Sequence, residues 1–175
     1  MLAIEFKNRQ TIKLYVGRLH EWYETNPLNG ELFGINCPIE TYNKWLTINK
    51  ISLSDREKII DKIIQKNNPA YIVGYEKGDI NTKLHEIAHY IYYSDDNYRN
   101  IVLSEWNKLD TNTLQYITRQ LKLLGYSDKN IIDEFQAYII ENPRYFGSKI
   151  DISVYKLFKQ YITKYNLKSF LVEIS

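Results

Sequence analysis

A chain of 175 residues and 20.9 kDa is long enough for one domain with a real core and too short for two ordinary ones. Its 23 basic and 21 acidic residues leave a net charge of +2 with no dense Lys/Arg cluster, which removes the electrostatic case for nucleic acid. The single cysteine, Cys37, excludes an internal disulfide and any Cys-zinc motif, and no run of about 18 apolar residues exists for a membrane span.

The opening segment Met1–Lys7 mixes acid and base within seven residues and so lacks the apolar core of a signal peptide. A soluble, cytoplasmic protein is expected, although a toxin domain cut from a larger secreted precursor would read the same way. No internal repeat or low-complexity linker interrupts the chain, so residues 1–175 are expected to form a single domain. Tyrosine is abundant, with 16 residues, so no single tyrosine is informative by itself.

Leu2, Ile4 and Phe6 alternate with Ala3, Glu5 and Lys7, a period of two that predicts a short strand opening the sheet. Across 10–25, Ile12, Tyr15, Val16, Leu19, Trp22 and Tyr23 fall at helical spacing. His20 lies here with no second histidine four residues later, and reads as exposed or hydrogen-bonded. Residues 26–39 hold two Gly, two Pro and three Asn, which predicts a loop or a pair of turns. Thr41 to Asn49 reads as a short helix or an irregular segment. Ser54-Asp55-Arg56-Glu57 is a capping box heading an amphipathic helix with Ile59, Ile60, Ile63 and Ile64, broken by Pro69.

Tyr71–Glu76, rich in β-branched and aromatic residues, reads as a strand. It is either the sheet edge that pairs with an extended substrate or an ordinary interior strand. Downstream, helices are predicted over roughly 98–108, from 111 to 124, from 129 to 141 and over 152–165. Their stops and caps are Gly125, Ser127 or Asp128, and Pro143. The tail Phe170-Leu171-Val172 suits a last strand. The fold class is therefore α+β. Residues 1–68 form a strand and helix region, 69–95 hold the edge strand and a motif helix, and 96–175 form a mainly helical half.

That motif is His85-Glu86-x-x-His89, holding two of the three histidines. Residues at i and i+4 lie one turn apart on one helix face, so both imidazoles can aim at a single point. Glu86 sits about 100° round from His85, beside a metal held there, where it acts as a base and not a ligand. Such a motif arises by chance in roughly one chain of this length in a few hundred, so the metal reading outweighs two histidines satisfied in a core. Asn81 and Thr82 are good N-cap residues for this helix, and Leu84, Ile87, Ala88 and Ile91 supply its apolar stripe.

A catalytic zinc needs a third protein ligand. No histidine follows His89, and the only methionine is Met1, which excludes the metzincin arrangement with its Met-turn. Asp95 and Glu105 are rivals. Glu134 is preferred, because Ala137 one turn later lets helix axes approach. Asp133 beside it is either a surface carboxylate or the acceptor that orients a histidine.

His85-Glu86-x-x-His89 with the distant Glu134 and Ala137 resembles the gluzincin zinc peptidases. The helix-filled gap from His89 to Glu134 is most similar to the catalytic domain of anthrax lethal factor and the Pro-Pro endopeptidases. The resemblance covers about residues 70–142. It implies a zincin-like fold, one Zn2+ per chain held by His85, His89 and Glu134, and a zinc-dependent endopeptidase with Glu86 as general base. It also implies a tyrosine shortly before the third ligand that stabilises the oxyanion. Tyr126 stands one residue off that spacing. The implied partner is a peptide or protein held extended along Tyr71–Glu76. Two alternatives remain at this point. One is a regulatory, repressor-cleaving zinc protease, which Glu105 as ligand would favour, and the other is a non-catalytic zinc-binding scaffold or inhibitor.

Overall fold

The structure is a computed structural model that describes residues 1–24, 31–164 and 170–174. Among these, eight α-helices and one four-stranded mixed sheet make an α+β chain that is mostly helical. Two compact units divide it, the first holding residues 1–86 with the C-terminal strand, the second beginning at Ile87.

In the first unit, β1 (Leu2–Phe6) is followed by α1 (Arg9–Glu24), β2 (Gly34–Pro38), α2 (Ile39–Asn49), α3 (Asp55–Asn67) and β3 (Tyr71–Glu76). The last strand, β4 (Phe170–Ile174), returns to this unit. The sheet order is β2-β3-β1-β4. β1 runs parallel to β3 and to β4, while β2 runs antiparallel to β3. Leu2, Ile4 and Phe6 are buried, as their alternation predicts, together with Ile12, Val16 and Leu19 of α1. Gly74 in the middle of β3 is a close-approach glycine, because a Cβ there would fall 2.8 Å from the Phe6 ring and 3.0 Å from Ile35.

Two expectations are corrected here. β1 does not open the sheet; it lies inside it. Tyr71–Glu76 is not an edge either: β3 pairs with β1 on one side and β2 on the other, so its peptide groups are already taken by the ladder. Among the described residues the edge beside β3 is β2, a strand within the stretch expected to be loop. Its sequence Gly-Ile-Asn-Cys-Pro holds three poor strand formers, which an edge position tolerates. Of the rest of that expected loop, residues 31–33 are irregular as predicted, Ile39 begins α2, and residues 26–30 lie outside the described residues.

The capping box forms as predicted. Ser54 accepts from Glu57 N at 3.2 Å, and Glu57 accepts from Ser54 N at 2.7 Å. Arg18 of α1 donates to the same carboxylate at 3.0 Å, tying α3 to α1.

Helix α4 (Ile80–Ser94) follows β3. Its cap is Asp79, which accepts from Thr82 N at 3.0 Å and the Thr82 hydroxyl at 2.8 Å; Asn81 and Thr82 themselves lie inside the first turn. The second unit continues with α5 (Asp96–Asn107), α6 (Thr111–Leu123), α7 (Ile131–Glu141) and α8 (Ile152–Lys164). Asp95 and Asp110 cap α5 and α6 through their carboxylates. α7 starts at Ile131 after Asn130 with no side-chain cap, so neither Ser127 nor Asp128 serves. Tyr98, Val102, Ile117, Leu121, Phe135 and Phe158 are fully buried in this unit. Phe135 anchors α7 by stacking on Phe146 at 5.9 Å and meeting Trp106 edge-on at 5.0 Å.

Candidate metal centre

The apolar stripe of α4 buries Ile87, Ala88 and Ile91, and the two histidines of the motif, on an adjoining face of the helix, are buried as well. His85 is 8% exposed and His89 2%, a degree of burial that imidazoles tolerate only with polar partners. On α7, Glu134 is 6% exposed, and Ala137 one turn on is completely buried. Each of His85, His89 and Glu134 offers one ligand atom, and these three atoms all lie within 4.8 Å of one another. Among the described residues this is the group of His, Cys, Asp and Glu that can hold a metal ion.

His89 shows how the group is poised. Its Nδ1 lies 2.8 Å from Asp133 Oδ1, which gives Asp133 the role of histidine partner rather than surface carboxylate. A carboxylate only accepts, so in the neutral imidazole the ring proton belongs on Nδ1 and Nε2 is the nitrogen able to bind a cation. Nε2 then faces Glu134 Oε1 at 3.6 Å. Two atoms each offering a lone pair at that separation suit a cation between them. Zn–N and Zn–O bonds of about 2.0–2.1 Å place tetrahedral ligand atoms ~3.4 Å apart.

Asp133 is itself held. Gln136 Nε2 donates to Asp133 Oδ1 at 3.0 Å, and the Tyr98 hydroxyl donates to Gln136 Oε1 at 2.8 Å. Tyr98 and Gln136 are both fully buried, so this chain of hydrogen bonds runs through the core of the second unit to the His89 ring. Sequence reasoning missed both residues. Gln136 stands three residues after Asp133, a spacing that was there to be read; Tyr98 needs the fold.

Glu86 is 6% exposed and stands one residue after His85, about 100° round the helix. Asn36 Nδ2 of β2 donates to Glu86 Oε2 at 2.8 Å. Gly34, two residues earlier on the same strand, lies so close that a Cβ there would meet Glu86 Oε1 at 2.2 Å.

Tyr126 lies between α6 and α7, with its hydroxyl 3.2 Å from that of Tyr138. Tyr138 is one turn past Glu134, and burial raises its phenol pKa well above the ordinary value, with the Glu134 charge adding to the effect. Sequence reasoning did not single out Tyr138, although its i+4 spacing from Glu134 was visible. The two rival ligands are occupied elsewhere. Asp95 caps α5 through Asn97 N and Tyr98 N at 2.8 and 3.0 Å, and Glu105 pairs with Lys108.

The donor set is two imidazoles and one carboxylate, all buried, which is the kind of set that binds zinc and leaves a coordination position open. No described helix is long and apolar enough to cross a membrane. Comparison of the chain with protein-family models, with curated proteins and with solved structures finds no match.

Proposed function

We propose that this chain is a zinc-dependent endopeptidase of the gluzincin kind with a zincin-like fold, its metal held by His85, His89 and Glu134. The observation that carries the reading is His89, with Nδ1 engaged by Asp133 and Nε2 turned to Glu134 Oε1 at 3.6 Å. A core histidine paired with its carboxylates would not also need His85, whose ligand atom lies within 4.8 Å of those of His89 and Glu134. A zinc ion held there supplies Lewis acidity, lowering the pKa of a water towards about 7 and polarising a peptide carbonyl.

Glu86 is the general base. It takes the proton of the attacking water as the new C–O bond forms, then hands that proton to the departing amine as the C–N bond breaks. The phenol pair Tyr126 and Tyr138 is the candidate donor to the tetrahedral oxyanion. The substrate strand is reassigned from β3 to β2. An extended peptide can add to β2 by backbone hydrogen bonds, because β2 lies at the edge and carries Gly34 and Asn36 beside Glu86.

The test is hydrolysis of a peptide library by zinc-loaded protein. Wild type is expected to cleave members of the library. Glu86→Gln is expected to keep its zinc and lose hydrolysis by about 100-fold or more. A Glu86→Gln variant with full activity would remove Glu86 from this role, and zinc-loaded wild type that cleaves nothing would make the site a non-catalytic scaffold.

A further inference from the structure

We infer that strand β2 is a positioning element for the general base: Asn36, steadied by Tyr71, and Gly34 together hold the Glu86 carboxylate in one orientation. The inference rests on the peptidase reading above for the word base, and on geometry alone for the hold.

In the antiparallel register Gly34 stands opposite Tyr75, Asn36 opposite Val73, and Pro38 opposite Tyr71. Side chains alternate, so Gly34, Asn36 and Tyr71 share one face of the sheet, while Ile35 and Cys37 point to the other and join the core. On the shared face, Asn36 is gripped at both ends of its carboxamide. Its Oδ1 accepts from the Tyr71 hydroxyl at 2.7 Å, and its Nδ2 donates to Glu86 Oε2 at 2.8 Å. A phenol donor on one side and a carboxylate acceptor on the other fix which end of the amide is which. Tyr71, only 3% exposed, cannot swing away to water.

The second observation is steric. A Cβ on residue 34 would fall 2.2 Å from Glu86 Oε1, 2.8 Å from Cδ and 2.9 Å from Cγ. The carboxylate therefore occupies the room that any other side chain at 34 would need. A glutamate has three side-chain torsions, and left to itself it spreads over several rotamers. Gly34 admits it to one place and Asn36 fastens it there. Asparagine suits the task, since aspartate at 36 would set like charge against Glu86 and alanine would leave no donor. The strand proposed to receive the substrate thus also carries the group that aims the base, so both are aligned by one rigid element.

The experiment uses the zinc-loaded full chain and a fluorogenic peptide taken from the wild-type library cleavage. Asn36→Ala is expected to keep its zinc and lower kcat by about 10-fold or more with KM within about twofold, because misaimed catalytic groups cost rate rather than binding. Tyr71→Phe is expected to lower kcat less. Gly34→Ala, whose Cβ would push the Glu86 side chain from Cγ outward off its seat, is expected to match Asn36→Ala. In a Glu86→Gln background, Asn36→Ala should cost nothing more, since Asn36 acts through Glu86. Equal losses in both backgrounds, or a kcat for Asn36→Ala within twofold of wild type, would overturn the inference. A readout without turnover is the side-chain amide resonance of Asn36 in 15N-labelled, metal-free protein. It should shift in Glu86→Ala and in Tyr71→Phe, and its constancy in both would contradict the hold. If wild type neither binds zinc nor cleaves while this resonance still shifts, the hold stands and the peptidase reading falls.

Discussion

Asp133 Oδ1 lies 2.8 Å from His89 Nδ1, and that contact decides which imidazole nitrogen faces Glu134. Asp133→Ala is expected to weaken zinc binding by about 10- to 100-fold, the usual cost of losing a carboxylate behind a histidine ligand. Competition against a chromophoric chelator measures it. An affinity within twofold of wild type would show that Asp133 does not orient the ring.

The same chain of hydrogen bonds carries a stability prediction. Tyr98→Phe takes the hydroxyl donor from Gln136 Oε1 in a fully buried place that bulk solvent does not reach. A loss of about 1–3 kcal/mol is expected in denaturant unfolding. A change below about 0.5 kcal/mol would mean that the Gln136 amide finds another partner.

In the first unit the head of α3 depends on Ser54 and Glu57. Ser54→Ala is expected to cost about 1 kcal/mol, the typical worth of an N-cap. Glu57→Ala is expected to cost somewhat more, because its nearly buried carboxylate also receives Arg18; that guanidinium is 46% exposed and recovers much of its hydration when the pair is broken. Unfolding curves for the two variants and their combination check this. A Glu57→Ala loss smaller than that of Ser54→Ala would contradict it.

Alkaline pH should destabilise the fold through its buried phenols. Burial first, and then the hydrogen bond to Asp61, holds the Tyr42 pKa far above its ordinary value; burial does the same for Tyr75 and Tyr98. These groups stay protonated in the folded chain while the unfolded chain loses their protons near pH 10. Stability is therefore unaffected by them below about pH 10 and falls as pH rises beyond it, by up to about 1.4 kcal/mol per pH unit for each phenol. Tyrosinate absorbance should show a set of phenols that ionise only as the protein unfolds. Titration of all 16 tyrosines in the folded state near pH 10 would contradict the prediction.

What could be read from the sequence was whatever depends on spacing along one helix. His85, Glu86 and His89 declare their shared geometry locally, and Ser54 with Glu57 does the same for a cap. The structure places Glu134 beside His89, and the clue to it was a small residue one turn away. The sheet was harder. The apolar run Tyr71–Glu76 looks the same at an edge and in an interior, and only pairing partners distinguish the two. In β2 the alternation of Ile35 and Cys37 is masked by the poor strand formers Gly34, Asn36 and Pro38 on the other face, and two of these are shaped by Glu86, fifty residues away in the case of Asn36. Tyr138 was hidden for a different reason: among so many tyrosines its spacing from Glu134 drew no notice.

The central claim is a metal held by two imidazoles of α4 and a carboxylate of α7, and metal analysis of purified protein tests it most directly. The account predicts one zinc per chain in wild type and close to none in His89→Ala and in Glu134→Ala, with both variants folded by circular dichroism. Wild type without zinc after incubation with the ion, or Glu134→Ala retaining a full equivalent, would contradict it.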